Sequence, residues 1–455
     1  MSRLSILVPR AALSACVPSQ EGKDQCPDVN YDVTADKEPE QSLATHASID
    51  AYMDAYLSSH PTVPGCSVAI VRDAQIWYEQ GYGLADVQTG REMTRMTPLP
   101  IGSMSKTMTA AAVMRLQDEG LLDVDDRVSD HLSLPDDKRE ITIRQALSHQ
   151  AGLPWQPVFD PSYDELSELD ALYPSVENPV IWPGLVLPAW IKTTALSATP
   201  GSAAGYSNAG FMLLGALIEA VTARDEALAD LQSYERFVWA VAASAGEEAR
   251  EDAPVTSCLR DAGRDDDIPL FAPGYRADAN GDLKAVDWVQ ANVNAGLPAG
   301  AIGPAGGWTM TAGDYARFLI GLDQGHILSD DALAEMMTRQ VQVPNVNNVW
   351  YGLGVGRDDQ NGLPAWHHGG TLEGYRSRYT YWPDEDLGVV ILCNGEPGDL
   401  GTVVNDLGLA AQQVEYKAAA DWVDISFVSL VRRLEEPRVP ELWDEPTVPE
   451  LYGER

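Results

Sequence analysis

Hydrophobic and polar positions along this chain switch between the period of a helix and that of a strand. Ile49, Tyr52, Met53, Tyr56 and Leu57 fall at i, i+3, i+4, i+7 and i+8, the apolar stripe of one helix. Residues 66–71 and 75–82 are β-rich runs, and Arg72-Asp73-Ala74 between them predicts a hairpin. A second helical pattern runs through Ala110, Val113, Met114 and Leu116 and stops at Gly120, a residue suited to a C-cap. Residues 210–221 are strongly apolar and predict a buried helix, while 311–322 predict an amphipathic one after the Gly306-Gly307 turn. Strand character returns at 375–382 and 387–393, with Pro383-Asp384-Glu385-Asp386 as the turn between antiparallel neighbours. Strands at both ends and helices between them predict one α+β unit, in which the two ends complete a common antiparallel sheet flanked by helices.

Composition adds limits. The 455 residues allow a full-sized core, and length alone suggests about two or three domains. A net charge of −37, from 68 acidic against 31 basic residues, repels nucleic acid and anionic lipid, so neither is an expected partner surface. Residues 1–45 read as a leader and polar tether: Leu13-Ser14-Ala15-Cys16 looks like a lipoprotein cleavage box, which predicts export and membrane attachment through a lipidated Cys16. Pro9 and Arg10 interrupt the apolar stretch, and the competing reading is an ordinary N-terminus with a chance cysteine. Beyond residue 410 the chain turns polar and proline-rich, with one helix predicted around 422–434. Cys66 and Cys393 each bound an apolar strand and are expected as buried thiols, not as disulfide partners. Cys and His residues show no metal-ligand spacing, and no cofactor is expected.

Three short signatures carry chemistry. In Ser103-Met104-Ser105-Lys106 the serine and lysine are three apart, so on a helix the ammonium can reach the hydroxyl. Taken alone, Ser103 could equally be a helix N-cap. In Tyr206-Ser207-Asn208 the outer side chains of an extended segment point the same way. The Tyr206 phenol, with an ordinary pKa of about 10, can act as a base only beside a cation such as Lys106. Asn208 can also cap the helix that follows. His367 and His368 are strand neighbours ahead of Gly369 and Gly370, so only one can face a cleft, and the glycines let a substrate lie against the backbone.

With these residues in order, the stretch Ile101-Gly-Ser-Met-Ser-Lys-Thr-Met-Thr-Ala110 resembles the nucleophile segment of the class C β-lactamase-related serine hydrolases, the penicillin-binding and D-Ala-D-Ala carboxypeptidase group. The segments 141–154, Pro200-Gly-Ser, Tyr206-Ser-Asn208, 306–312 and His368-Gly-Gly-Thr371 with Gly374-Tyr375 match the same family's habits. The resemblance spans about residues 46–410 and implies one catalytic unit of β-lactamase/transpeptidase-like fold with a mainly helical subdomain. It implies that Ser103 is the acylated nucleophile and that Lys106 with Tyr206 moves its proton, either of the two being the base. It implies that Asn208 orients the substrate and that the backbone N–H groups of Ser103 and Thr371 form an oxyanion hole. It selects His368 over His367 for the third wall, with Gly369 and Gly370 beside it.

Many relatives carry lysine where this chain has His368, and histidine is a weaker anchor for a carboxylate. Arg376 or Arg378 could compensate. Efficient β-lactam hydrolysis is therefore not expected, and the expected substrate is an ester or a D-amino-acid peptide or amide. Trp155, Trp182 and Trp190 are candidates for an apolar acyl pocket. The alternatives are a non-catalytic sensor that binds a cell-wall fragment, a true β-lactamase, and an acyl transferase.

Overall fold

A computed structural model describes residues 43–158, 187–188, 190–225, 228, 234–244, 258–259, 271–286, 302–346, 349–398 and 400–419. Residues 1–42 of the predicted leader and tether, with Cys16, Trp182 and the helix expected at 422–434, lie outside them, and 43–45, expected as tether, begin a helix. The first elements are α1 (Leu43–Ser59), β1 (Gly65–Arg72), β2 (Gln75–Asp86), β3 (Arg91–Glu92), β4 (Leu99–Pro100), α2 (Ser105–Asp118) and α3 (Ile143–Leu147). The middle holds α4 (Asn208–Thr222), α5 (Tyr234–Ala243), β5 (Cys258–Leu259), β6 (Gly274–Ala277), β7 (Leu283–Val286), β8 (Trp308–Met310), α6 (Ala312–Asp323) and α7 (Asp330–Met337). The last elements are β9 (Val341–Val343), β10 (Val349–Tyr351), β11 (Asp359–Gln360), β12 (Leu363–Pro364), β13 (Trp366–Leu372), β14 (Tyr375–Trp382), β15 (Leu387–Cys393) and α8 (Leu400–Ala419).

The main sheet is antiparallel with strand order β13-β14-β15-β1-β2-β3, so the two ends of the chain meet at its centre. Asp73 and Ala74 link β1 to β2 with φ of 51° and 56°, the left-handed pair of a tight hairpin whose twist matches its strands. β15 is buried along its whole length, which is why its sequence is apolar without alternation. Its alternate side chains divide between two layers. Leu387, Val389, Ile391 and Cys393 pack with Ile49, Met53, Val403 and Leu407 of α1 and α8. Val390 and Leu392 face the larger core, where α2, α4, α5 and α6 meet. Polar caps start several of these helices: Thr142, Ser207, Thr311 and Ser329 each accept a backbone N–H three residues on.

The cysteine expectation is corrected. Cys66 and Cys393 are both buried, but they lie directly opposite in the β1–β15 register, with Cα atoms 4.0 Å apart, and form a disulfide. Trp190, a candidate for the acyl pocket, is fully buried in the larger core instead, the commoner place for an isolated tryptophan.

Asn394, next to the disulfide and fully buried, ties four segments together. Its Oδ1 accepts from Gly65 N at 2.9 Å, and its Nδ2 donates to Leu84 O, Ala85 O and Pro273 O at 3.2, 2.9 and 3.2 Å. Replacing it with leucine strands these groups away from water, at a cost of about 3 kcal/mol. Guanidinium unfolding of Asn394→Leu is expected to show that loss as a lower midpoint at unchanged slope. A shift worth less than about 1 kcal/mol would contradict the latch.

Candidate active site

The candidate nucleophile sits where the helical layer touches the open edge of the sheet. Gly102, at φ 53°, begins a single tight turn, Gly102–Met104, that leads into α2. Ser103 does not cap this helix: the cap position is Met104, and no side chain fills it. The turn is instead held from three sides. Tyr315 OH donates to Met104 O at 3.0 Å, Ser377 Oγ donates to Ile101 O at 2.7 Å, and Ile101 N donates to Trp308 O at 2.9 Å. Ser103 is left partly exposed on a fixed backbone.

Lys106, one helical turn further on, is completely buried. Its Nζ donates to Ser103 Oγ at 3.0 Å, to Asn208 Oδ1 at 2.7 Å and to Ala305 O at 2.7 Å. It also lies 4.7 Å from the centre of the Tyr206 ring and 5.6 Å from that of Phe211. Asn208 is not the cap of α4, the alternative role its position allowed. Ser207 is, accepting from Gly210 N at 3.0 Å, and this turns the Asn208 amide toward the lysine. The Ala305 carbonyl comes from the tight turn Gly303–Gly307 and had no signal in the sequence, because any residue supplies a carbonyl. Trp155 packs against Tyr206 with ring centres 5.0 Å apart, and its carbonyl accepts from Asn208 N at 2.8 Å.

The third wall is β13, the edge strand. His367 exchanges backbone hydrogen bonds with Gly356 on the outer side, so by alternation Gly369 and Thr371 also point their backbone groups outward. Thr371 N thereby lies against Gly102, beside the nucleophile turn. Gly370 has a different role from the one expected: a Cβ there would run into Ile101 O and Ser377 Oγ, so its bareness admits the turn itself. Gly369 has ordinary room. His368 faces the helical layer across from Tyr379, whereas Arg376 and Arg378 pair with Thr371 and Gly369 on the other face. Neither arginine is the cross-strand partner of His368, although both line the cavity that Tyr206, Tyr351 and His368 also line.

His368 is uncharged. Its Nδ1 lies 2.6 Å from Gly369 O, which can only accept, so Nδ1 carries the proton. Nε2 then accepts from Tyr351 OH at 2.8 Å, leaving neither ring nitrogen unused. Burial and the nearby Lys106 cation push this imidazole down to about 3. Burial likewise lowers His367 to about 4, with Asp358 opposing the shift. Tyr351 gave no sequence signal. Burial lifts its phenol well above the usual range, so it serves as a neutral donor. A third imidazole, His149, packs against Tyr206 with ring centres 4.2 Å apart and planes tilted by 35°. The cluster thus pairs a hydroxyl with a buried cation, holds an amide and two backbone N–H groups nearby, and surrounds them with neutral rings. Such a set can deprotonate a serine and stabilise an oxyanion.

One antiparallel sheet against a helical layer, with a serine–lysine pair at their junction, defines the β-lactamase/transpeptidase class of fold. The Beta-lactamase family matches residues 49–413, and the chain belongs to that family. A D-aminopeptidase from Brucella anthropi is 28% identical over 347 residues, 74% of this chain and 57% of that protein. The chain spans about three fifths of the length of the curated relatives it matches first. An octameric penicillin-binding protein homologue from Pyrococcus abyssi shares the fold with a TM-score of 0.63 at 24% identity, covering 81% of this chain and 77% of that one. A D-stereospecific amidohydrolase from Streptomyces sp. superposes with a TM-score of 0.54 at 25% identity, covering 77% and 94%.

The neutral histidine has a pH signature. Unfolded histidine titrates at about 6.5, and His368 in the folded chain at about 3. Between those values the unfolded chain binds the extra proton, so stability falls as pH falls. Denaturant midpoints of wild type are expected to drop from pH 7 to pH 4, and His368→Asn is expected to drop less steeply. Equal slopes would contradict a buried, uncharged His368.

Proposed function

We propose that this chain is a serine hydrolase that works through an acyl-enzyme on D-amino-acid amides and peptides, with simple esters as further substrates. The observation that carries the reading is the Lys106 ammonium bridging Ser103 Oγ and Asn208 Oδ1. Ser103 Oγ forms a bond to the substrate carbonyl carbon while its proton passes either to Tyr206 as the phenolate, with Lys106 the ammonium, or to Lys106 as the neutral amine. Backbone N–H groups of Ser103 and Thr371 receive the oxyanion, and Asn208 orients the scissile amide. The carbon–nitrogen or carbon–oxygen bond then breaks, the leaving amine or alcohol receives the proton, and water releases the acyl group along the reverse path. The named activities of the Brucella and Streptomyces relatives support the D-configured amide class. A β-lactamase reading is weaker, because the neutral, doubly engaged His368 offers no charge to a β-lactam carboxylate.

In this reading residues 46–410 form one catalytic unit, and the mature chain is exported and tethered by a lipidated Cys16. The Cys66–Cys393 disulfide supports export, since such bonds persist in oxidising compartments.

A panel of D-amino-acid amides, D-Ala-D-Ala peptides, short aryl esters and a chromogenic cephalosporin tests the substrate class. Turnover of the amides and esters is expected, with the cephalosporin left nearly intact. Ser103→Ala is expected to abolish fluorophosphonate labelling and to lower turnover by roughly 10⁶-fold. Labelling that survives this change would sink the proposal.

A further inference from the structure

One residue holds Tyr206 from both flanks. His149 follows α3 at φ 60°, a left-handed backbone that non-glycine residues seldom adopt. Its carbonyl accepts from Gly205 N at 2.9 Å and its Nδ1 from Ser207 N at 3.1 Å, so the neighbours of Tyr206 on either side are tied to it. Its ring centre lies 4.2 Å from that of Tyr206, 4.6 Å from Tyr351 and 5.3 Å from Phe211. A backbone N–H only donates, so Nδ1 is the acceptor and the neutral ring carries its proton on Nε2. That Nε2 is buried and has no hydrogen-bond partner. Local strain and an unsatisfied buried donor both cost free energy, and both are concentrated in this one residue.

The titratable groups facing the ring are Tyr206 from the segment before α4, Lys106 from α2, Tyr351 from β10 and His368 from β13. Burial, Lys106 and His368 all hold the imidazole well below its ordinary range. A proton on Nδ1 would set two donors against each other at Ser207 N and place a second cation beside Lys106.

We propose that His149 is the positioning residue for Tyr206, fixing the phenol over Lys106 through its two clasps on the flanking backbone and its closely packed, uncharged ring. The proposal rests on the hydrolase reading above, in which Tyr206 shares the proton of Ser103.

The tautomer can be read in the wild-type protein without substrate. ¹⁵N-edited NMR at pH 7 is expected to show a neutral His149 protonated at Nε2, and an imidazolium or an Nδ1–H tautomer would overturn the proposal. His149→Asn keeps a residue that tolerates the left-handed backbone and offers a short acceptor, whereas His149→Ala removes ring and acceptor together. Both are expected to lose roughly tenfold to a hundredfold in kcat with KM little changed. Asn is expected to recover part of the Ala loss, and the pH profile of Ser103 labelling to move in both. A folded variant with wild-type kcat and an unmoved profile would overturn the proposal; if Ala fails to fold, Asn and the wild-type tautomer decide. Absence of Ser103-dependent labelling in wild type would defeat the hydrolase reading instead and leave the tautomer result standing.

Discussion

A single buried ammonium organises this molecule. Lys106 has no exposed surface, so its charge is tolerable only where oxygen atoms replace water. Those oxygens come from three distant parts of the chain: the turn before α2, the first residue of α4, and a carbonyl of the tight turn at 303–307. The requirement to satisfy one lysine therefore brings together the elements that define the cleft. Its field also reaches outward, helping to keep His149 and His368 uncharged. The aromatic lining around Tyr206 is thereby neutral by physical necessity, since a further cation would have no counter-charge.

Much of the fold was legible because burial leaves periodic traces. β14, β15, α4 and α6 follow runs whose period and punctuation are unambiguous over their length. The contact of Ser103 with Lys106 was legible too, since residues three apart share a helix face, whereas the joining of Asn208 to them rested on the family resemblance. What escaped depends on pairing across the chain. Cys66 and Cys393 were correctly read as buried, but their partnership needs the β1–β15 register, set 327 residues apart. The faces of Arg376 and Arg378 likewise follow from cross-strand pairing with Thr371 and Gly369. The cap of α4 is Ser207, while the Asn208 amide oxygen accepts from the lysine. Ala305 acts through its backbone, which no residue-type reasoning detects.

Substituting histidine for lysine at the third wall changes more than charge. His368 spends both nitrogens on the protein itself, one on its own strand and one on Tyr351. The wall thus becomes part of the scaffold around Tyr206, and in the proposed reading recognition of substrate falls to the backbone edge of β13 and to Asn208. A site arranged in this way discriminates by shape and hydrogen bonding, with little electrostatic pull on an anion.

The central position of β1 between β2 and β15 also bears on how the chain comes into being. A ribosome releases the first of these strands long before the last, and at about 5–20 residues per second the wait is on the order of tens of seconds. Throughout that interval β1, mostly apolar in its side chains, offers one row of unpaired backbone groups to its surroundings. The nascent protein is therefore most exposed to misassociation before its C-terminal third emerges. A holdase acting on the early hairpin would protect it until the sheet can close.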